Sequence, residues 1–209
     1  MGCEYGMGIR RQAIDDADSK LVARCQKGDM DAFEQLVTRH QKKMLNFAFR
    51  MMGDYNEACD VVQEAFLSAY RAITKFRQDA LFSTWLYTIV SNHARTSLQK
   101  SRVRHCRECV SLDAPVNTQD GVCVRETPSE AETNQARLER THIESRVQEC
   151  IGALDTEHRE VLVLRDIQGN SYEEIGKMLQ MAEGTVKSRI FRARNAMKNC
   201  LSDVLGDMA

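Results

Sequence analysis

The sequence predicts an all-α protein built as two small helical domains joined by a flexible linker. Aromatic residues make up only 6% of the chain and prolines number 2, fewer than a strand-rich protein with its many turns would carry. Apolar residues recur at three- to four-residue spacing over two stretches, residues 18–105 and 136–205. Both prolines, Pro115 and Pro128, fall between these stretches, in a segment 106–135 rich in Asp, Asn, Thr, Ser and Gly.

In the first domain, Asp18 or Ser19 can cap a short helix that ends near Gly28-Asp29. Asp31 can cap the next, whose apolar stripe is Phe33, Leu36, Val37, Met44, Phe47, Ala48 and Met51, with Gly53 as its stop. A third helix buries Ala58, Val61, Val62, Ala65, Phe66, Ala69 and Ile73 and shows Asp60, Gln63, Glu64 and Leu67 on its other face. A fourth, capped by Ser83, carries Phe82, Leu86, Ile89, Val90 and Leu98 on one side. In the second domain a helix runs to Leu154 with Ile143, Val147, Cys150 and Ile151 inward, and another covers DTEHREVLVLRDIQG and ends at Gly169. Ser171 with Glu174 three residues on is a capping box for YEEIGKMLQ, and a break at Met181-Ala182 leads into the last helix. If flexible, the 30-residue linker has an r.m.s. reach of about 30 Å, and about 100 Å when stretched.

The net charge of -1 argues against a general nucleic-acid coating protein, but its distribution is uneven. No acid occurs from Ser83 to Arg107, where Arg95, Lys100, Arg102, Arg104 and Arg107 gather. The linker is acidic, and the last helix is basic again at Lys187, Arg189, Arg192, Arg194 and Lys198. No apolar run approaches the roughly 18–20 residues of a membrane span, and Asp15, Asp16 and Asp18 stand where a signal peptide would be apolar. A cytoplasmic protein without membrane insertion is expected, with most of its eight cysteines as reduced thiols.

The stretch EGTVKSRIFRAR (183–194) is the most informative. On a helical projection Val186, Ile190, Ala193, Met197 and Leu201 form the buried face. Ser188, Phe191, Arg192 and Asn195 lie opposite, flanked by Thr185 and Lys187. Helix, short turn, helix is the layout of a helix-turn-helix, whose second helix enters the major groove. Arg suits guanine, Ser a base edge or phosphate, an aromatic the thymine methyl, and Lys a phosphate.

SYEEIGKMLQMAEGTVKSRIFRARNAMK resembles region 4 of bacterial sigma factors of the extracytoplasmic-function (ECF) type, nearest to the sigma-E-like branch. That resemblance implies −35 reading by Thr185, Lys187, Ser188, Phe191, Arg192 and Asn195. Many relatives carry Arg where Lys187 stands, which alters the contact that side chain can make.

The first domain carries the same resemblance. DYNEACDVVQEAFLSAYRAITKF (54–76) is similar to region 2.2, which implies docking on the β′ coiled coil of RNA polymerase through Asp60, Gln63, Glu64 and Phe66. FRQDALFSTWLYTIVSNHARTSL (76–98) is similar to regions 2.3–2.4, which open the −10 element. Opening strands needs aromatics that replace base stacking and cations that hold the separated backbone. The matching residues are Arg77, Trp85, Asn92, His93, Arg95 and Lys100, with Phe82 and Trp85 read as mostly core. Relatives commonly have Phe-Arg-Gly-Asp-Ser where this chain has Phe76-Arg77-Gln78-Asp79-Ala80, which implies a changed loop beneath the flipped base. Thr96 also departs from the Asp or Asn usual there.

By resemblance, then, the chain is an alternative sigma factor for a stress or envelope response. Its partners would be core RNA polymerase (β′ coiled coil and β flap), promoter DNA and an anti-sigma factor. No catalytic residue and no cofactor is expected, since phosphate-loop, Gly-x-Ser-x-Gly and His–carboxylate metal motifs are lacking. A stand-alone helix-turn-helix regulator is the competing reading, and it leaves residues 54–100 without a task. His105, Cys106, Cys109 and Cys123 could add a zinc site or a reactive dithiol, or be incidental linker residues.

Overall fold

Helix ends in this chain are set by short polar side chains and left-handed stops. The computed structural model describes residues 18–108 and 134–206, with side chains described over 18–104 and 140–202. Helix α1 spans 18–25, α2 Met30–Met52, α3 Tyr55–Ala72 and α4 Phe82–Glu108. In the second half α5 is Asn134–Ala153, α6 Thr156–Leu162, α7 Tyr172–Leu179 and α8 Glu183–Gly206. A 3-10 turn, Ile73–Lys75, follows α3, and a π turn, Val163–Ile167, continues α6.

Asp29, not Asp31, caps α2. Its backbone is extended and its carboxylate accepts from Ala32 N at 3.1 Å, while Asp31 becomes a first-turn acid. Asp54 caps α3 by accepting from Glu57 N at 2.8 Å. Gly53 closes α2 at φ 82, a conformation that a Cβ disfavours, and its N–H donates to Phe49 O. Ser83 lies inside the first turn of α4, which begins at Phe82. The Ser171–Glu174 capping box forms in both directions, at 3.2 and 2.7 Å. Caps of this kind stabilise by about 1 kcal/mol each.

Asp18 lies within α1, and its carboxylate reaches across to α2, pairing with Arg39 and with His40 Nε2 at 2.8 Å. Burial opposes its ionisation, but His40 and Arg39 hold its pKa below the usual carboxylate value. The first half packs on Leu36, Met44, Phe47, Ala65, Ile73, Leu86 and Val90, all at most 2% exposed. Burying each large apolar side chain contributes about 1.5–3 kcal/mol.

Three sequence expectations change. Ile143 shares the stripe of Val147, Cys150 and Ile151 but is 51% exposed, because it lies in the part of α5, residues 140–145, whose described side chains are all exposed, and only the later turns pack on the core. Cys150 and Cys200 are not reduced thiols but a disulfide joining α5 to α8; only tertiary packing, which brings their Cα atoms to 5.8 Å, reveals that pair. Cys25 and Cys59 are free. Finally, the two halves do not stand apart. Phe47, Tyr87 and Val90 share one apolar cluster with Val161, Val163 and Leu164. Arg159 donates to Met51 O, and Tyr87 Oη donates to Gln168 Oε1 at 2.8 Å.

Candidate nucleic-acid interface

α7 and α8 form the helix-turn-helix. α7 ends at Gln180 in a left-handed conformation, φ 53, and α8 begins three residues later. Val186, Ile190 and Ala193 are 0–2% exposed and seat α8 against the domain. The opposite face is open: Thr185, Lys187, Ser188, Phe191, Arg192 and Asn195 are all exposed, Phe191 at 67%. Among the described residues no neighbouring element covers that aromatic ring.

The five cations of α8 separate into two groups. Arg194 donates twice to Asp166, one bond at 3.0 Å, and this pairing raises its pKa. Arg189 Nη2 is 2.7 Å from Glu157. Lys187 Nζ is 2.7 Å from Glu183 and 5.7 Å from the centroid of the Tyr172 ring, and the Glu183 bond raises its pKa. Arg192 and Lys198 form no ion pair among the described residues. Arg192, beside Phe191 and Ser188, is thus the cation left for a base edge. Ser188 Oγ donates to Thr185 O at 2.9 Å and keeps its lone pairs for a donor from DNA. The acidic partners Asp166 and Glu183 were missed from sequence; Glu183 could have been found, since it stands four residues before Lys187.

The basic helix α4 and the loop before it form the second candidate surface. Trp85 stacks on Phe76 with ring centroids at 4.6 Å, and Phe82, 4% exposed, backs both. Arg77, Asn92, Arg95 and Lys100 are exposed. Arg95 donates to Asn92 Oδ1 at 2.9 Å, so the two present one polar edge. His93 is half-buried and tied to Ser68 Oγ on α3 at 3.0 Å, so of the predicted set it is the residue most committed to packing. Gln78 adopts φ 57. The loop therefore keeps a left-handed turn at the position where relatives were expected to place glycine, and an ordinary side chain bears the strain.

On α3, Asp60, Gln63 and Glu64 are exposed together. Phe66, grouped with them from sequence, is 8% exposed and belongs to the core, because it lies on the stripe of Val62, Ala65 and Ala69. The outer apolar groups are Leu67 and Tyr70, each 43% exposed. Tyr70, missed from sequence, falls seven residues after Gln63 and hence on the same helical face. The side chains of His105 and Cys106, and residues Cys109 and Cys123 altogether, lie outside the described residues; among the described residues no His, Cys, Asp and Glu cluster could hold a metal. No described helix is long and apolar enough to cross a membrane.

A helix-turn-helix with an open reading face, set beside a helical bundle with stacked aromatics and a basic helix, defines the class of two-part promoter-reading proteins. Residues 36–104 match sigma-70 region 2, and residues 144–197 match sigma-70 region 4. The chain is 39% identical over 191 residues to the RNA polymerase sigma-H factor of Pseudomonas aeruginosa, an alignment covering 91% of this chain and 96% of that one. It is 40% identical over 182 residues to the ECF RNA polymerase sigma-E factor of Escherichia coli K12, covering 87% and 93%. The chain belongs to the ECF sigma factors of the sigma-70 family. Its fold is similar to that of CnrH in complex with the cytosolic domain of CnrY, with a TM-score of 0.61 at 30% identity, covering 90% of this chain and 99% of that one. The sigma factor RpoE of Bartonella quintana, in complex with the anti-sigma factor NepR, shares the fold at a TM-score of 0.61 and 22% identity, covering 81% and 96%.

Proposed function

We propose that this sigma factor docks on core RNA polymerase through the outer face of α3 and brings two DNA-reading surfaces to one promoter. Asp60, Gln63 and Glu64 supply the polar docking edge, with Leu67 and Tyr70 as its apolar part. Thr185, Lys187, Ser188, Phe191, Arg192 and Asn195 read the −35 element. Arg77, Trp85, Asn92, Arg95 and Lys100 hold the opened −10 strand, and His93 positions α4. The observation that carries the reading is Phe191, 67% exposed on a helix whose other face buries Val186, Ile190 and Ala193. An aromatic ring left in water on a reading face gains by packing on thymine methyls.

Each surface alone binds DNA weakly and in a salt-dependent way, and tethering makes the second contact intramolecular. Specific promoter binding therefore needs polymerase to fix the spacing. The chain works in the cytoplasm, in a stress or envelope response, under an anti-sigma partner; the two solved relatives bound to CnrY and NepR support that last point. Run-off transcription with core polymerase on a genomic library tests the proposal. Discrete start sites above core alone are expected, and their absence refutes it. A stand-alone regulator would instead bind promoter DNA tightly without polymerase at physiological salt.

A further inference from the structure

The turn after α1 belongs to no reading or docking surface, yet one of its side chains reaches the −10 loop. Gln26 is half-buried and lies before residues 36–104, the part that matches sigma-70 region 2. Its Nε2 donates to Ile73 O at 3.0 Å and to Phe76 O at 2.7 Å. Both hydrogens of one amide nitrogen are thus spent on the two ends of the 3-10 turn, Ile73 at its start and Phe76 at its cap. Gln26 is itself well anchored. Its N–H donates to Val22 O at 2.9 Å, and Leu21, Val22 and Cys25 beside it are buried.

What the amide holds is the entrance to the −10 loop. The Phe76 ring stacks on Trp85 with an interplanar angle of 21°. Beyond it, Arg77, Gln78, Asp79 and Ala80 form no hydrogen bond or ion pair among the described residues. The next tie is Leu81 O, which accepts from Trp85 N at 3.1 Å. The loop therefore hangs between two points, one fixed by Gln26 and the other by α4. A loop with so few ties loses freedom when it takes up a DNA strand, and fixing its end beforehand lowers that cost. An apolar side chain could fill the place of Gln26, but only a group with two hydrogens to donate holds both carbonyls.

We propose that Gln26 is a positioning residue for strand opening: its amide clamps the 3-10 turn, keeps Phe76 on Trp85 and presents loop 77–80 to the opened −10 strand. The proposal rests on the assignment of Arg77 and Trp85 to −10 DNA.

Trp85 is the only tryptophan of the chain, so its fluorescence reports the stack directly. The test compares the full-length wild type with Gln26→Leu and Gln26→Glu at pH 8. The glutamate keeps the shape of the side chain and, ionised, has no hydrogen to donate. In the free proteins both variants should shift Trp85 emission to the red and make it more open to acrylamide quenching. In holoenzymes on a promoter found by run-off transcription, both should lower permanganate oxidation of unpaired −10 thymines by about tenfold, the worth of one or two net hydrogen bonds. Polymerase affinity and −35 duplex binding should hold at the wild-type level.

Either variant decides the outcome if the other fails to fold. Wild-type emission and quenching in a folded variant overturn the clamp. Shifted emission with wild-type strand opening overturns its role in opening, and so does an equal loss of polymerase binding and opening, the mark of a merely structural residue. Fluorescence of the free chain needs neither DNA nor polymerase, so it stands or falls apart from run-off transcription by the wild type.

Discussion

Opening the Cys150–Cys200 bond should destabilise the −35 domain by an amount that the chain itself sets. The bond closes a sequence separation of 50 residues, from the end of α5 to the last part of α8. Loop-closure entropy for that length is about 14 cal/mol/K, or about 4 kcal/mol at 25 °C. Cys150 is 1% exposed, so replacing it would add a packing cost. Cys200 is only half-buried, and Cys200→Ser removes the bond with the least disturbance. The assay is urea unfolding of wild type and Cys200→Ser, each with and without reductant, followed by helical circular dichroism. Reductant should lower wild-type stability toward that of Cys200→Ser and leave the variant unmoved. Cys25→Ser and Cys59→Ser, at the free thiols, should respond to reductant as wild type does. A wild-type loss under about 1 kcal/mol, or a variant that still responds to reductant, refutes the reasoning.

Other perturbations separate reading from packing. Arg192→Ala should cost about 1–3 kcal/mol of −35 affinity and relax preference at one base position, read from binding to a set of single-base promoter variants. Phe191→Ala should weaken the same binding with a stability change within about 0.5 kcal/mol, whereas Ile190→Ala should cost about 2–5 kcal/mol of stability in thermal or urea unfolding. Gln78→Gly should stabilise the first half by about 1 kcal/mol, since it removes a side chain from a left-handed turn.

The fold was legible because the helices are amphipathic and their ends are marked. Gly53, Ser171 and Glu174 act where their residue types say they should, and the stripe Val186, Ile190 and Ala193 identifies both the core face and the reading face of α8. What stayed hidden depends on meetings between distant residues. Helical period cannot show that α5 carries Cys150 to Cys200, or that Gln26 will reach Phe76 O. Helical period already puts Phe66 on the buried stripe of α3, where it lies; only the family resemblance groups it with the exposed Asp60, Gln63 and Glu64. The left-handed Gln78 is legible only with the backbone in hand.

The paired cations of α8 explain why a basic helix need not be a strong DNA binder. Five cations on phosphates would give a dependence of log K on log salt near −4.5, but an arginine already held by an aspartate brings that negative charge to the phosphate with it. With Arg194 on Asp166, Arg189 on Glu157 and Lys187 on Glu183, only Arg192 and Lys198 release counterions in full, so the contribution of α8 falls to about −1.8. Freeing two cations with Asp166→Asn and Glu183→Gln should steepen the slope by about 1–2 and raise affinity for −35 and random DNA alike, measured as salt-dependent binding of the full chain. An unchanged slope would mean that these acids let go of their partners on DNA. On this account the acids keep the free protein off bulk DNA and leave discrimination to Phe191, Ser188 and Arg192.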